Sequence, residues 1–171
     1  DADGKDCEPE AVGEIIIKGK TITKGYWNLA GETARAIRDG WLYSGDAGYF
    51  DAEGYLYIYD RVKDMIISGA ENVYPAEVES ALQGHPKIAD VGVIGVPDEK
   101  WGETVKAVVV VMPGETLTAA DVMAFARTRV AGYKIPRSVD FVEELPRNPS
   151  GKILKRELRA PYWEGYDRQV N

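Results

Sequence analysis

The spacing of apolar residues changes near residue 62, and this change divides the chain into two parts. In the first part, from Gly13 to Ile58, the pattern predicts β-strands separated by turns, with one short helix from Leu29 to Ile37. Its clearest feature is the segment YLYIYDR, in which tyrosines alternate with Leu56 and Ile58. A period of two is typical of a strand with two different faces. Because the turn DAEG connects this segment to the preceding WLYSGDAGYF, the two segments predict a hairpin.

The second part alternates predicted strands with predicted helices. Its strongest strand signals are ADVGVIGVP and TVKAVVVVM, which are rich in valine. Pro75 is expected to begin one helix, and Thr118 with Asp121 predicts a capping box for another. A last strand, SVDFVEEL, leads through the loop PRNPSGK into the short helix ILKREL. We therefore predict an α+β fold, with an all-β piece in residues 1–62 and a compact α+β domain in residues 63–171, whose central sheet is flanked by helices.

The composition narrows the classes of partner. With 171 residues and 44% apolar content, the chain can bury an ordinary core. Its net charge of −7 argues against a nucleic-acid partner and against adsorption to an anionic membrane surface. The longest apolar runs, such as Ala107 to Met112, are too short to cross a bilayer, so we expect no transmembrane segment. Any anionic ligand must therefore be held by a local basic region.

One such region runs from Lys134 to Arg159. It contains seven basic and four acidic residues, a local excess of three positive charges. A solvated basic face explains this composition as well as a ligand site does. The charge alone therefore leaves both interpretations open.

The cysteine content and the start of the chain bear on its cellular context. Cys7 is the sole cysteine, which excludes an intrachain disulfide and a cysteine-based metal site. No signal-peptide pattern opens the sequence, so we expect a cytoplasmic protein. The first residues, DADGKDCEPE, are acidic and loop-like and include no initiator methionine. We expect a piece of a longer protein, although a processed or engineered terminus explains the same opening.

Two charged residues suggest a sugar-binding site. Asp46 lies between small residues in GWLYSGDAG, where its carboxylate could accept hydrogen bonds from both hydroxyls of a ribose. An ordinary turn residue is the alternative. Arg61 follows fifteen positions later with one hairpin between, so both side chains could face one sugar. A plain surface charge is the alternative for Arg61.

Two other segments suggest contacts with a ligand. Ser68, Gly69 and Ala70 form a small-residue surface along which a narrow chain could lie, although a tight turn needs the same residues. Lys152 lies in PRNPSGK, where two prolines and a glycine constrain the loop and present a cation outward. A lysine at the beginning of a helix is electrostatically unfavourable, which suggests that Lys152 is kept for a ligand.

Taken together, the motifs resemble the adenylate-forming superfamily of acyl-CoA synthetases, peptide-synthetase adenylation domains and beetle luciferases. The resemblance runs in order through GEIIIKG, KGYWN, GWLYSGDAGYFDAEGYLYIYDRVKDMI, GAENVYPAEVE, VIGVPDEKWGE, YKIP and PRNPSGKILKREL. It covers nearly the whole chain. Within the superfamily, the motifs GAENVYP, PDEKWGE and YKIP are similar to those of fatty or aromatic acyl-CoA ligases.

The resemblance implies roles for several residues. Asp46 and Arg61 correspond to the pair that holds the ribose of ATP or AMP, with Ile58 packing nearby. Lys152 corresponds to the lysine that bridges the α-phosphate and the acyl carboxylate during adenylation. The resemblance also implies that residues 1–62 are the tail of the large domain, a small β-barrel-like lobe, and that residues 63–171 are the mobile small domain, with the hinge at Lys63.

Further residues correspond to the family's CoA site. Ser68 and Gly69 resemble the wall of the pantetheine tunnel. Trp101, Tyr133 and Lys134 match positions near the CoA nucleotide in some members. For Trp101 a core or interface role is an equal alternative.

The resemblance also implies the reaction and the missing parts. The expected enzyme is an acid–thiol ligase that converts a carboxylic acid, expected to be fatty, and ATP into acyl-AMP, and then transfers the acyl group to CoA. Its phosphate loop, acyl pocket and Mg²⁺ ligands belong to a large domain before residue 1, so we expect no metal ligands and no activity in this chain alone. Without the large domain, the amino-terminal strands should expose apolar surface. Alternatively, a second copy of the chain covers them, which would give a homo-oligomer. An adenylation domain that loads a carrier protein and a non-catalytic binding module are the alternative functions.

Overall fold

The structure is a computed structural model that describes residues 1 and 3–166. It has an α+β fold, as predicted, and divides into two compact units between Val62 and Lys63. The first unit contains β1 (Gly13–Ile17), α1 (Ala30–Ala36), β2 (Ile37–Arg38), β3 (Trp41–Phe50) and β4 (Leu56–Arg61). The second contains β5 (Ile66–Ser68), β6 (Glu71–Val73), α2 (Pro75–Gln83), β7 (Ile88–Asp98), β8 (Gly102–Val111), α3 (Ala119–Arg127), β9 (Ser138–Phe141) and α4 (Lys155–Trp163).

Strand β3 is the centre of the first unit. It pairs antiparallel with β1, β2 and β4, and the predicted hairpin is the β3–β4 pair. Tyr57 on β4 stacks on Tyr49 of β3 with 5.2 Å between ring centroids, and Tyr59 meets Tyr49 edge-on at 6.3 Å. These contacts give the hairpin an aromatic face.

The barrel-like closure predicted for the first unit is not confirmed. Within the described residues, its four strands form one open sheet in which β3 is shared by the other three. A barrel requires the outer strands to pair with each other. Strands β1 and β4 instead both pair with β3, so the sheet keeps free edges among the residues described.

The second unit is built on a five-stranded sheet in the order β6–β5–β8–β7, with β9 parallel to β8. Alternate residues of β7 enter two different cores. Val91 and Val93 pack in the cluster that includes residues of α2 and α3. Ile94 and Val96 pack in a second cluster that includes Leu158 of α4. The sheet therefore has helices on both faces, as predicted.

Several element boundaries differ from the sequence predictions. Strand β9 ends at Phe141, before the end of SVDFVEEL, and α4 starts at Lys155 and continues through Pro161. The short strands β2 and β6 were not predicted, because two or three residues carry no measurable period. Around Thr118 the predicted capping box is present, with Asp121 N–H donating to the Thr118 hydroxyl.

None of the helices in the described segment combines the length and the apolar character that crossing a membrane requires.

Candidate functional site

The hairpin β3–β4 places Asp46 directly opposite Arg61. Arg61 Nε lies 2.8 Å from Asp46 Oδ1, and the two side chains keep 49% and 30% of their surface exposed. The carboxylate has acceptor capacity beyond this contact, and the guanidinium has further donors. The structure thus brings together the two residues predicted to share one sugar, on a surface that a ligand can reach.

Ser44 supports the backbone that carries Asp46, and the sequence analysis did not identify this role. Its hydroxyl donates to the carbonyl oxygen of Ile15 at 2.7 Å and accepts the Asp46 N–H at 3.0 Å. The Gly45 N–H donates to Glu14 Oε1 at 3.1 Å, and Gly45 has a φ of +72° that favours glycine. A hydroxyl two residues before the carboxylate was the available signal, because Ser side chains often bond the nearby backbone.

Ile58 lies on the same hairpin, where it pairs with Gly48. Its side chain is 73% exposed, which is unusual for isoleucine. Gly48 allows a close strand approach, because a Cβ there would lie 2.5 Å from the Tyr57 carbonyl oxygen. The exposed Ile58 side chain offers an apolar surface to a ligand.

Lys152 occupies a short turn that joins Arg147 to Ile153, which form an isolated β-bridge. The Asn148 N–H donates to the Lys152 carbonyl oxygen at 2.9 Å, and the Gly151 N–H donates to the Asn148 carbonyl oxygen at 2.9 Å. Gly151 has a φ of +83°, which the turn requires and glycine tolerates. The Lys152 residue is exposed, as the sequence predicted for an outward-facing cation.

Lys63 lies in a single 3₁₀ turn, Val62–Asp64, at the division between the two units. Its carbonyl oxygen accepts a hydrogen bond from Arg159 Nη1 at 3.3 Å. The position of Lys63 is compatible with its predicted hinge role, which stays a prediction.

Ser68 and Gly69 lie where β5 ends, against Trp101. The Gly69 N–H donates to the Trp101 carbonyl oxygen at 2.8 Å, and Ser68 is buried opposite Gly102. Gly69 has a φ of +68°, and a Cβ there would approach Trp101 Cε3 to 2.9 Å. The indole ring therefore lies directly over the glycine, and the Arg137 guanidinium lies 5.1 Å from the ring centroid.

Tyr133 and Lys134 follow in the 3₁₀ turn Gly132–Lys134. Tyr133 is partly exposed, whereas the Lys134 ammonium lies 2.6 Å from Glu77 Oε2. Burial alone would lower the pKa of Lys134, but the hydrogen bond and charge of Glu77 outweigh it and raise that pKa. The charge of Lys134 is thus already compensated within the second unit.

Among the described residues, no group of three or more His, Cys, Asp or Glu side chains is arranged to hold a metal ion.

Part of the second unit matches a known protein family. Residues 77–152 match the family model described as the AMP-binding enzyme C-terminal domain. This region is therefore an AMP-binding enzyme C-terminal domain. The predicted resemblance of the chain to the adenylate-forming superfamily is confirmed, and the chain corresponds to the carboxy-terminal part of longer acyl-CoA and acyl-carrier-protein ligases.

Two curated relatives illustrate the range of activities among similar proteins. The chain is 46% identical over 171 residues to the fatty acid–[acyl-carrier-protein] ligase ScoC of Streptomyces coeruleorubidus, covering 100% of this chain and 33% of that protein. It is 51% identical over 159 residues to a feruloyl-CoA synthase of Amycolatopsis sp, covering 93% of this chain and 32% of that protein. The chain thus spans about a third of the length of the curated relatives it matches.

A solved AMP-binding enzyme has the same fold over this region. It is the o-succinylbenzoate CoA synthetase MenE from Bacillus subtilis in complex with the acyl-adenylate intermediate OSB-AMP, with a TM-score of 0.85 and 41% identity. The match covers 99% of this chain and 33% of that chain. The same enzyme has been solved with ATP and magnesium ion, at a TM-score of 0.83 and 43% identity over 91% of this chain and 32% of that chain.

Proposed function

We propose that this chain is the carboxy-terminal part of an AMP-forming acid–thiol ligase. The carboxylate of the acid attacks the α-phosphorus of ATP, which gives acyl-AMP and releases pyrophosphate. The thiol of CoA then attacks the acyl carbon, which gives the thioester and releases AMP. The observation that carries this proposal is the half-exposed Asp46–Arg61 pair, with 2.8 Å between Arg61 Nε and Asp46 Oδ1.

The first unit binds the nucleoside in this proposal. The Asp46 carboxylate accepts hydrogen bonds from the two ribose hydroxyls, and Arg61 fixes the carboxylate and donates to the sugar. Ile58 packs against the nucleoside with its exposed side chain. These contacts persist through both half-reactions, so they contribute mainly to nucleotide affinity.

The second unit contributes Lys152 to the first half-reaction only. Two anions, the acid and the α-phosphate, must meet, and a cation that touches both lowers their repulsion and the charge that develops in the transition state. The exposed position of Lys152 supports this role. Rotation about Lys63 then presents the Ser68–Gly69 edge, which lies against Trp101, to CoA in the second half-reaction.

The remaining parts of the active site belong to a preceding large domain in this proposal. That domain supplies the phosphate loop, the acyl pocket and the Mg²⁺ ligands. The length of the relatives supports it, because this chain covers 33% of ScoC and 32% of the feruloyl-CoA synthase. The acid is of the fatty or aromatic class, since those two relatives are named for a fatty acid and for a feruloyl product.

Transfer to a carrier protein is a second candidate. It is favoured by the similarity to ScoC, a fatty acid–[acyl-carrier-protein] ligase that matches over 100% of this chain. The two candidates share the first half-reaction and differ only in the thiol. Incubating the full-length protein with acid, ATP and either CoA or a phosphopantetheinylated carrier protein distinguishes them by the thioester that accumulates.

ATP–pyrophosphate exchange in the full-length protein tests the main proposal. We expect exchange to depend on a carboxylic acid, and Asp46→Asn to raise the KM for ATP about 10-fold or more, since a charged acceptor is lost. Glu53→Gln, in the turn of the same hairpin, is the matched control and should leave that KM unchanged. A protein without acid-dependent exchange, or an Asp46→Asn variant with an unaltered KM, would contradict the proposal.

A further inference from the structure

Both backbone polar groups of Lys152 are bonded to one residue, Asn148. The Asn148 side-chain Oδ1 accepts the Lys152 N–H at 2.9 Å. The Asn148 backbone N–H donates to the Lys152 carbonyl oxygen at 2.9 Å. The same Oδ1 also accepts the Ser150 N–H at 3.0 Å and the Ser150 hydroxyl at 2.8 Å. A single carboxamide oxygen thus organises the turn of residues 148–152, which we name the lysine turn.

A second residue ties the lysine turn to the sheet. Arg147 Nη2 lies 2.5 Å from Asp90 Oδ2, and Asp90 belongs to β7. The other terminal nitrogen of Arg147 donates to the carbonyl oxygen of Gly151, the residue before Lys152. The turn therefore has an internal anchor at Asn148 and an external anchor at Arg147.

These contacts matter because the side chain of Lys152 cannot hold its own position. A lysine ammonium lies at the end of a flexible four-carbon chain with many rotamers. Its location therefore depends on the position and direction of the backbone at residue 152. A displacement of about 1 Å at a reacting centre can reduce a rate about 100-fold. An exposed turn without the Asn148 acceptor would let residue 152 sample many positions.

We propose that Asn148 is a positioning residue for Lys152, with Arg147 as its link to the sheet. Asn148 touches no reacting atom. It fixes the backbone from which Lys152 reaches the two anions, so its contribution appears only in the half-reaction that uses Lys152. This inference rests on the proposed function of Lys152 in adenylation.

Four variants of the full-length protein test the inference. Lys152→Ala removes the ammonium, and Asn148→Ala removes the acceptor. Asn148→Asp restores an oxygen acceptor at the same place. Ser150→Ala deletes one of the three hydrogen bonds to Oδ1 but keeps the bond to the Lys152 N–H. Adenylation is measured by pyrophosphate exchange, and thioester formation is measured from supplied acyl-adenylate and CoA.

We expect Asn148→Ala to lower the kcat of adenylation about 10- to 100-fold, with little change in the KM for ATP and unaltered thioester formation. Asn148→Asp should recover most of the lost rate, and Ser150→Ala should stay much closer to the parent protein. If Asn148→Ala lowered the rates of both half-reactions equally, the positioning role would be overturned. The same would follow if Asn148→Ala lost no rate while Lys152→Ala had a strong effect. Either result would leave the proposed function of Lys152 intact. An unimpaired Lys152→Ala protein would overturn the proposed function of Lys152 as well.

Discussion

The Arg159 guanidinium forms an ion pair with the Asp64 carboxylate, with 2.9 Å between Nη2 and Oδ1. Both side chains are mostly buried, at 16% and 13% exposed. The other terminal nitrogen of Arg159 bonds the carbonyl oxygen of Lys63 at 3.3 Å. Helix α4 therefore holds Lys63 and Asp64, the first residues of the second unit. In a rotation at the proposed hinge, these two residues would stay fixed to the second unit.

The first prediction concerns the strength of this ion pair. Because one partner would be left in a mostly buried position, we expect Arg159→Ala to lower the free energy of unfolding by about 2 kcal/mol. Urea denaturation of the 171-residue chain, followed by circular dichroism, measures the change. The double variant Arg159→Ala/Asp64→Ala should lower the free energy of unfolding by less than the sum of the two single variants. The reason is that each single variant leaves one mostly buried charge without its partner.

The exposed pair Arg35–Glu32 is a matched control for that measurement. Its two side chains are 70% and 54% exposed, so solvent screens the interaction. Arg35→Ala should therefore change the free energy of unfolding by less than about 0.5 kcal/mol. Similar losses for Arg35→Ala and Arg159→Ala would show that the buried pair has no special role.

The second prediction concerns Gly69 and the indole above it. Gly69→Ala requires a left-handed backbone at φ +68° and brings a Cβ to 2.9 Å from Trp101 Cε3. Gly114→Ala is the matched control, because it has a φ of +80° with nothing within 4 Å of the added Cβ. Each backbone cost is about 1–2 kcal/mol, and Gly69→Ala should cost more by the steric contact. Equal unfolding free energies for the two variants would contradict the packing of Trp101 on Gly69.

The third prediction separates the two half-reactions. In the full-length protein we expect Lys152→Ala to slow adenylation by several orders of magnitude, because the point charge between two anions is lost. Thioester formation from supplied acyl-adenylate should stay nearly intact, since Lys152 acts in one orientation only. Rapid-quench measurement of each half-reaction provides the test, and equal losses in both would contradict the assignment.

The sequence was most informative where local pattern determines structure. The alternating tyrosines and the DAEG turn were sufficient to predict the β3–β4 hairpin, and hairpin pairing then places Asp46 beside Arg61. The capping box at Thr118 is equally local. Such features depend on residues within a few positions or across one turn, so a single sequence contains them.

Features that depend on distant partners were not predictable. The ion pair of Asp64 with Arg159 joins residues 95 positions apart, and the local sequence around either residue does not indicate its partner. A local feature was missed as well: Asn148 Oδ1 accepts hydrogen bonds from residues only two and four positions away, but PRNPSGK was interpreted only as a loop. The barrel-like lobe was expected from the family resemblance, which does not specify which strand edges pair in this chain. Helix α4 continues past Pro161 because its packing on the sheet outweighs the local signal to stop.

The fourth prediction concerns the pH dependence of stability. The Tyr162 hydroxyl donates to the Asp140 carboxylate, and Lys106 Nζ lies 2.7 Å from the other Asp140 oxygen and 4.7 Å from the centroid of the Tyr162 ring. Burial and the hydrogen bond to Asp140 raise the pKa of Tyr162 to about 12. Because the folded pKa exceeds the ordinary value of about 10, this contribution to stability is present below pH 10 and is lost as the pH rises toward 12.

Tyr162→Phe tests that dependence, since phenylalanine keeps the ring and removes the titrating group. Urea midpoints are measured at pH 7, at pH 9.5 and at pH 11.5 for both proteins. We expect the parent protein to lose more stability than Tyr162→Phe between the two higher values, while other tyrosines and lysines titrate equally in both. Parallel pH profiles would show that the Tyr162–Asp140 hydrogen bond does not raise the pKa of the tyrosine.

The last prediction concerns the hinge, because Lys63 has no proposed contact with a reacting atom. It lies in the 3₁₀ turn Val62–Asp64, where φ is ordinarily near −60°. Proline fixes φ near −65°, so Lys63→Pro should favour the one orientation that is compatible with that angle and prevent the change of torsion that the other requires. In the full-length protein we expect Lys63→Pro to spare pyrophosphate exchange and to reduce CoA transfer severely. Lys63→Ala removes the side chain but leaves the torsion free, so it should affect both half-reactions little. If proline and alanine had the same small effect on both half-reactions, the pivot would lie elsewhere and the boundary between the moving parts would have to be reassigned.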